Sequence, residues 1–408
     1  MNSAKHRCLN CIMPPHILEK LLESKDPAIR QAALETMLST ARLRGERSLV
    51  GVMGVVSALG AGRRTVFDCQ NGVVLSRAVV RRTEDGPEST DESVNRAFDG
   101  LGKTREFYKD VLDRDSIDDR GMRLDGYVHR GVNYNNAFWD GREMIFGDGD
   151  GEIFTDFTGS LDVIAHELTH GVTENASGLE YHIESGALNE SISDVFGSLV
   201  KQWSLNQTAD EADWLIGAEI FTPGIDADAL RSMKAPGTAY DNALLGKDPQ
   251  PDHIRKFVRL PDTEAGDFGG VHINSGIPNK AFFLAATNIG GRAWEAPGHI
   301  WYESLKASSP TTQFQDFANT TVMQARSLYG TPAEQAVADA WNQVGIRVAA
   351  SSAVPSPNGH VRARAVAPRD DDALAALKKQ IEVLSSQVKS LTKEVAATKA
   401  RKPAAATR

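Results

Sequence analysis

The sequence predicts an α+β protein of two lobes, a β-rich half followed by a helical half. Three observations carry this reading. Between residues 65 and 81, short β-branched runs flank Asn71-Gly72, a dipeptide that favours a tight hairpin. From residue 161 onward the apolar spacing changes to three and four, the period of a helix, and does so in segment after segment. The 408 residues also exceed what one core usually holds, so more than one unit is expected.

Pro14 and Pro15 open a periodic stretch over 17–42, in which Leu18, Leu21, Leu22, Ile29, Ala33, Leu34 and Met37 share a helical face. Residues 1–47 therefore read as a helical prosegment. The β-rich lobe is placed at 48–158, with the hairpin, a helix over 94–112 and short strands over 127–129 and 143–146. The helical lobe follows at 159–348, with helices over 161–172, 187–203, 280–286, 301–307, 314–328 and 332–344. Residues 349–372, rich in Ala, Ser, Pro and Arg and without apolar period, read as linker. Over 373–400, Leu374, Leu377, Ile381, Leu384, Val388, Leu391 and Val395 form a heptad repeat. The repeat suits a weak homodimer through a coiled coil, and the same stripe suits a helix folded back on the body.

The formal charge of −9 is uneven, because eight Lys/Arg face two Glu over 373–408 and the rest of the chain is acidic. An acidic body gives no reason to expect nucleic-acid binding. The one apolar run, 49–59, is interrupted by Gly and far short of the ~20 residues needed to span a bilayer, so no membrane partner is expected. Cys8, Cys11 and Cys69 are too few, and odd in number, for a disulfide framework. No continuous apolar stretch in the first twenty residues reads as a secretory signal. These features place the chain in the cytoplasm, or outside it by a non-classical route. Cys8 and Cys11, flanked by His6 and His16, have a spacing that can bind zinc; exposed thiols in a mobile terminus are the plainer reading.

The chemistry is concentrated in His166-Glu-Leu-Thr-His170, inside the periodic segment 161–172. Histidines four apart on a helix lie on one face, so both imidazoles can reach one zinc ion. Glu167, beside the first of them, is placed to act as general base on a water that the metal activates. One helix later, Gly186-Ala-Leu-Asn-Glu190-Ser-Ile-Ser-Asp194 supplies Glu190 as a third ligand, completing a His/His/Glu set with one open position. Asn189 and Asp194 can hold the far nitrogens of the histidines.

These motifs closely resemble the thermolysin family of neutral metallopeptidases, in its protealysin-like branch with a short prosegment. The resemblance spans about 65–346 and includes Tyr134-Asn-Asn-Ala-Phe-Trp139, Phe146-Gly-Asp-Gly-Asp-Gly151, Leu230-Arg-Ser-Met233 and Gly269-Gly-Val-His-Ile-Asn-Ser-Gly276. It implies a two-lobed fold with the zinc helix between a β-rich and a helical lobe. It implies that His272 stabilises the oxyanion with Tyr181, that Asp267 orients His272, and that Asn136 and Ala137 bind substrate backbone. Arg231 then grips the carbonyl after the cut, in a pocket lined by Phe154, Phe157, Val163, Ile216, Ile220 and Leu230. The implied activity is zinc-dependent cleavage of peptide or protein substrates before bulky apolar residues, from a proenzyme in which Ile12-Met-Pro-Pro-His-Ile-Leu18 blocks the cleft. Weak calcium binding is implied, since Asp162 and Asp213 persist at the double site while Lys201, Leu215 and Ala218 replace other acids. Thr222, Ile225 and Asp228 keep a lesser site. The competing class, an inactive zinc-binding module with an oligomerising tail, predicts loss of Glu167, His272 or Tyr181, and all three are present.

Overall fold

A computed structural model describes residues 10–53 and 63–349. Cys8, His6, most of the linker and the whole heptad repeat lie outside the described residues. The described residues begin with a short strand, β1 (Asn10–Cys11), and two helices, α1 (Pro15–Leu21) and α2 (Pro27–Met53). The periodic stretch over 17–42 is divided between these two helices, and Pro27 has no amide hydrogen with which to continue the ladder from α1. Pro15 and Pro27 each start a helix, where the missing N–H costs nothing.

The β-rich lobe is a six-stranded sheet built from β1, β2 (Arg64–Asp68), β3 (Val79–Thr83), β4 (Leu124–Val128), β5 (Ala137–Trp139) and β6 (Glu143–Phe146), in the order β1-β5-β6-β4-β2-β3. The β2–β4 and β4–β6 pairs are parallel and the others antiparallel. The tight hairpin expected at Asn71-Gly72 does not form. Gln70 and Asn71 do take left-handed φ of 52° and 58°, and Gly72 N–H bonds Cys69 O at 2.8 Å. The chain then keeps bonding β4 instead of folding back: Cys69 N–H donates to Val128 O and Asn71 N–H to His129 O. Pairing with β2 resumes only at Val79, and Val73 and Val74 are left exposed. The long helix α3 (Glu92–Leu112) packs on this sheet, capped by Asp91, whose carboxylate accepts from Ser93 N–H.

The helical lobe begins with α4 (Leu161–Ala176) and α5 (Ile183–Leu205), both buried along most of their length. They approach closely at Gly197, where a Cβ would stand 2.6 Å from Asp162 O. Two small ribbons follow, β7 (Leu215–Ile216) with β8 (Arg231–Ser232) and β9 (Asp241–Asn242) with β10 (Gly246–Lys247). After them come α6 (Asp267–Asn274), α7 (Gly276–Ile289), α8 (Ala296–Lys306), α9 (Phe314–Tyr329) and α10 (Thr331–Gln343). One apolar core runs through both lobes, from Val66 and Phe98 to Trp301 and Trp341. Among the described residues no helix is long and apolar enough to cross a membrane.

Candidate active site

His166 and His170 sit one turn apart on α4, and Glu190 comes from α5. The two Nε2 atoms are 3.1 Å apart, with Glu190 Oε2 3.5 Å from His166 Nε2 and Glu190 Oε1 3.4 Å from His170 Nε2. The other ring nitrogens are occupied. His166 Nδ1 lies 2.8 Å from Asp194 Oδ1, and His170 Nδ1 lies 2.8 Å from Asn189 Oδ1, with Ser193 Oγ at 3.0 Å. The tautomer that places a proton on each Nδ1, facing these oxygens, leaves the two Nε2 atoms with lone pairs toward each other and toward a buried carboxylate. Glu190 Oε2 has no hydrogen-bond partner. Such a cluster needs a cation among its members, and two imidazoles with one carboxylate suit zinc with a position left open. Among the described residues, no other group of three His, Cys, Asp or Glu converges in this way.

Asp194 serves three elements at once, α4, β8 and α7. Besides His166, it takes Arg231 in a two-pronged pair, Nε to Oδ2 at 2.9 Å and Nη2 to Oδ1 at 2.8 Å, and it accepts from Asn279 Nδ2 at 2.8 Å. Burial opposes its ionisation, but Arg231 and His166 outweigh that and hold its carboxyl well below the usual carboxylate range. Glu167 is also buried. Its Oε2 accepts from Trp139 N–H at 2.9 Å, Oε1 has no partner, and burial beside Glu190 pushes its pKa well up.

The opposite wall is α6, which sequence periodicity missed because its first turn is not regular helix. Phe268, Gly269 and Gly270 have φ of 50°, 87° and 80°. This kink lets Asp267 accept from both His272 N–H at 2.9 Å and His272 Nδ1 at 2.6 Å. Burial opposes a charge on His272, but Asp267 and Glu190 prevail and raise its pKa to about 9. Tyr181 hydroxyl donates to Glu190 Oε1 and lies 3.3 Å from His272 Nε2. Phe154, Phe157, Val163, Ile216, Ile220 and Leu230 all fall in the main core cluster, which also holds Ile12.

The edge of the sheet at Asn136 and Ala137 is covered by the chain's own first described residues, since β1 pairs with β5. Cys11 is buried against Phe138 and Tyr134, and His16 Nε2 meets Tyr240 hydroxyl at 2.8 Å, so neither matches the exposed terminus expected for them. The sequence reading did not single out Ser193, Asn279 or Gln250, whose Nε2 holds His272 O at 2.8 Å. Ser193 could have been found, being one turn from Asn189 and Glu190 on α5; nothing in sequence spacing links Asn279 to Asp194. Where the resemblance implies a double calcium site, Lys201 Nζ lies 2.8 Å from Glu219, 3.1 Å from Asp213 and 3.5 Å from Asp162.

Comparison with known proteins gives one answer. Residues 66–174 match the family described as thermolysin metallopeptidase, catalytic domain, and residues 177–346 match its alpha-helical domain. An extracellular metalloprotease of Pectobacterium carotovorum subsp. carotovorum is 44% identical over 346 residues, covering 84% of this chain and 98% of that one. Protease PrtS of Photorhabdus sp. (strain Az29) is 44% identical over 345 residues, covering 83% of this chain and 92% of that one. The solved precursor of protealysin, a metalloproteinase from Serratia proteamaculans, superposes with a TM-score of 0.74 at 45% identity, covering 83% of this chain and 99% of that one. The cytoplasmic placement is overturned by the extracellular relative, which is alike along nearly its whole length. That placement rested on a missing apolar leader and few cysteines, and neither of these fixes a compartment. The two matching domains and the full-length relatives place this chain in the thermolysin family of metallopeptidases.

Proposed function

We propose that the protein is a zinc-dependent endopeptidase, made as a proenzyme, that cuts peptide bonds before bulky apolar residues. The observation that carries this is the convergence of His166, His170 and Glu190 on one point, with Glu167 beside it and His272 opposite. Zinc held there supplies a Lewis acid that polarises the scissile carbonyl. Glu167, fixed by Trp139 N–H, moves a proton from the attacking water to the departing nitrogen. His272, kept charged by Asp267, and Tyr181 stabilise the negative charge that develops on the carbonyl oxygen. Arg231 and the Asn136–Ala137 edge hold the substrate backbone. The apolar pocket favours burial of a Leu, Ile, Val or Phe side chain by roughly 1.5–3 kcal/mol. The prosegment spans residues 1–47 and the catalytic lobes follow it.

Cleavage of a peptide by purified protein, with chelator and zinc add-back, tests this reading. Activity is expected to vanish with chelator and return with zinc, and Glu167→Ala is expected to lose at least ~10² in rate while still binding the metal. Full activity in zinc-loaded Glu167→Ala would rule out the assigned mechanism. Calcium is expected to bind weakly, because the Lys201 ammonium already occupies the place among Asp162, Asp213 and Glu219 and repels a second cation.

A further inference from the structure

The first described residues lie across the cleft in the register of a peptide being cut. Cys11 O accepts from His272 Nε2 at 2.9 Å. Ile12 N–H donates to Ala137 O at 3.2 Å and lies near enough to the Glu167 carboxylate to favour its charged form. Ile12 O accepts from Arg231 Nη1 at 3.2 Å, and Met13 N–H donates to Asn136 Oδ1 at 3.2 Å. Antiparallel pairing sets Cys11 opposite Phe138 and Asn10 opposite Trp139. One carbonyl therefore meets the oxyanion donor, the next meets the arginine, and the nitrogen between them meets the general base. Only one bond fits that description, Cys11–Ile12. Its downstream residue is apolar and fully buried in the cluster that contains the pocket residues. Pro14 follows in extended conformation and α1 then folds away, so the segment is tethered on its downstream side.

We propose that Cys11–Ile12 is a self-cleavage site, the enzyme's own first substrate. This rests on the peptidase reading above. One water is consumed: its oxygen bonds the Cys11 carbonyl carbon, the C–N bond breaks, and both of the water's protons end on the Ile12 nitrogen. The products are a Cys11 carboxylate and an Ile12 ammonium, with no oxidant or other reactant. Among the described residues, β1 is then held to the body without a covalent link, by its pairing with β5, by the His272 bond to Cys11 and by the packing of Cys11 against Phe138 and Tyr134. A short two-residue strand holds weakly, so the fragment leaves and β5 is uncovered at Phe138 and Trp139. Residues from Ile12 onward remain docked as a product until the rest of the prosegment is removed.

The test starts from full-length protein prepared metal-free, with zinc added at time zero. Intact mass and N-terminal sequencing are followed while an apolar reporter peptide is assayed in parallel. The expected result is an early species lacking residues 1–11 and beginning at Ile12, formed at a rate independent of protein concentration and absent in Glu167→Ala. Ile12→Leu is expected to keep this cut and Ile12→Asp to lose it. In the Glu167→Ala protein, the Ile12 and Met13 amides are expected to exchange hydrogen slowly, and an added Asn136→Ala change to speed exchange at Met13. Reporter cleavage with Cys11–Ile12 left intact, or with that bond cut only after the rest of the prosegment has gone, overturns the proposal and leaves the peptidase reading standing. Fast exchange at both amides overturns the register itself. No cleavage of either reporter or prosegment overturns the peptidase reading, and this proposal with it.

Discussion

At the scale of single residues, Asp194 joins the candidate metal site to Arg231, the residue proposed to grip the substrate. It is buried and shared by His166, Arg231 and Asn279. Asp194→Asn keeps the size and removes the charge, leaving the buried Arg231 guanidinium without its counter-ion. We expect a loss of about 3–5 kcal/mol in stability and a 10- to 100-fold loss in zinc affinity, measured by denaturant unfolding and by metal titration. Unchanged values in both would show that Asp194 is not the shared support. The convergence of His166, His170 and Glu190 was legible beforehand because helical period alone puts the two imidazoles on one face. The sharing of Asp194 was not, since Arg231 and Asn279 reach it from other elements, and a contact between distant parts of the chain leaves no periodic trace. The contacts of Ile12 with Ala137 and Arg231 were hidden for the same reason.

At the scale of elements, the regular helices were read to within a few residues, because each buries one apolar face. The errors fell where backbone bonding departs from a simple period. The Asn71 turn is held by β4, and α6 opens with residues of positive φ. Lys201 on α5 shows how a charge can tie elements together. Burial opposes its charge, yet Asp162, Glu219 and Asp213 outweigh this and hold its pKa above the usual lysine value. Lys201→Ala is expected to cost about 3 kcal/mol, since it strands the buried Asp162 carboxylate on α4. Millimolar calcium is expected to raise the melting temperature of that variant and to leave the parent almost unmoved. A large calcium shift in the parent, lost on changing Asp162, would contradict the replacement of ion by ammonium.

At the scale of the whole molecule, the two-lobed arrangement followed from the change of period near residue 160, and a single apolar core now runs through both lobes. The heptad repeat beyond the described residues adds a question of assembly. β-Branched residues at one core position and Leu at the other favour a parallel pair, but about three and a half heptads make a weak one. Sedimentation of full-length protein at tens of micromolar is expected to show a monomer–dimer equilibrium that disappears in a chain ending near Ile346. Monomers in both would exclude the coil as an assembly device. The pairing of β1 with β5 has a wider consequence. Any chain that replaces β1 must present several consecutive residues as an extended strand with its amides and carbonyls free. A folded target has those groups committed to its own helices and sheets, so it becomes vulnerable only where it opens locally. The selectivity of the enzyme among intact proteins is then governed by how often each target's segments unfold, with the apolar pocket choosing only among bonds already exposed.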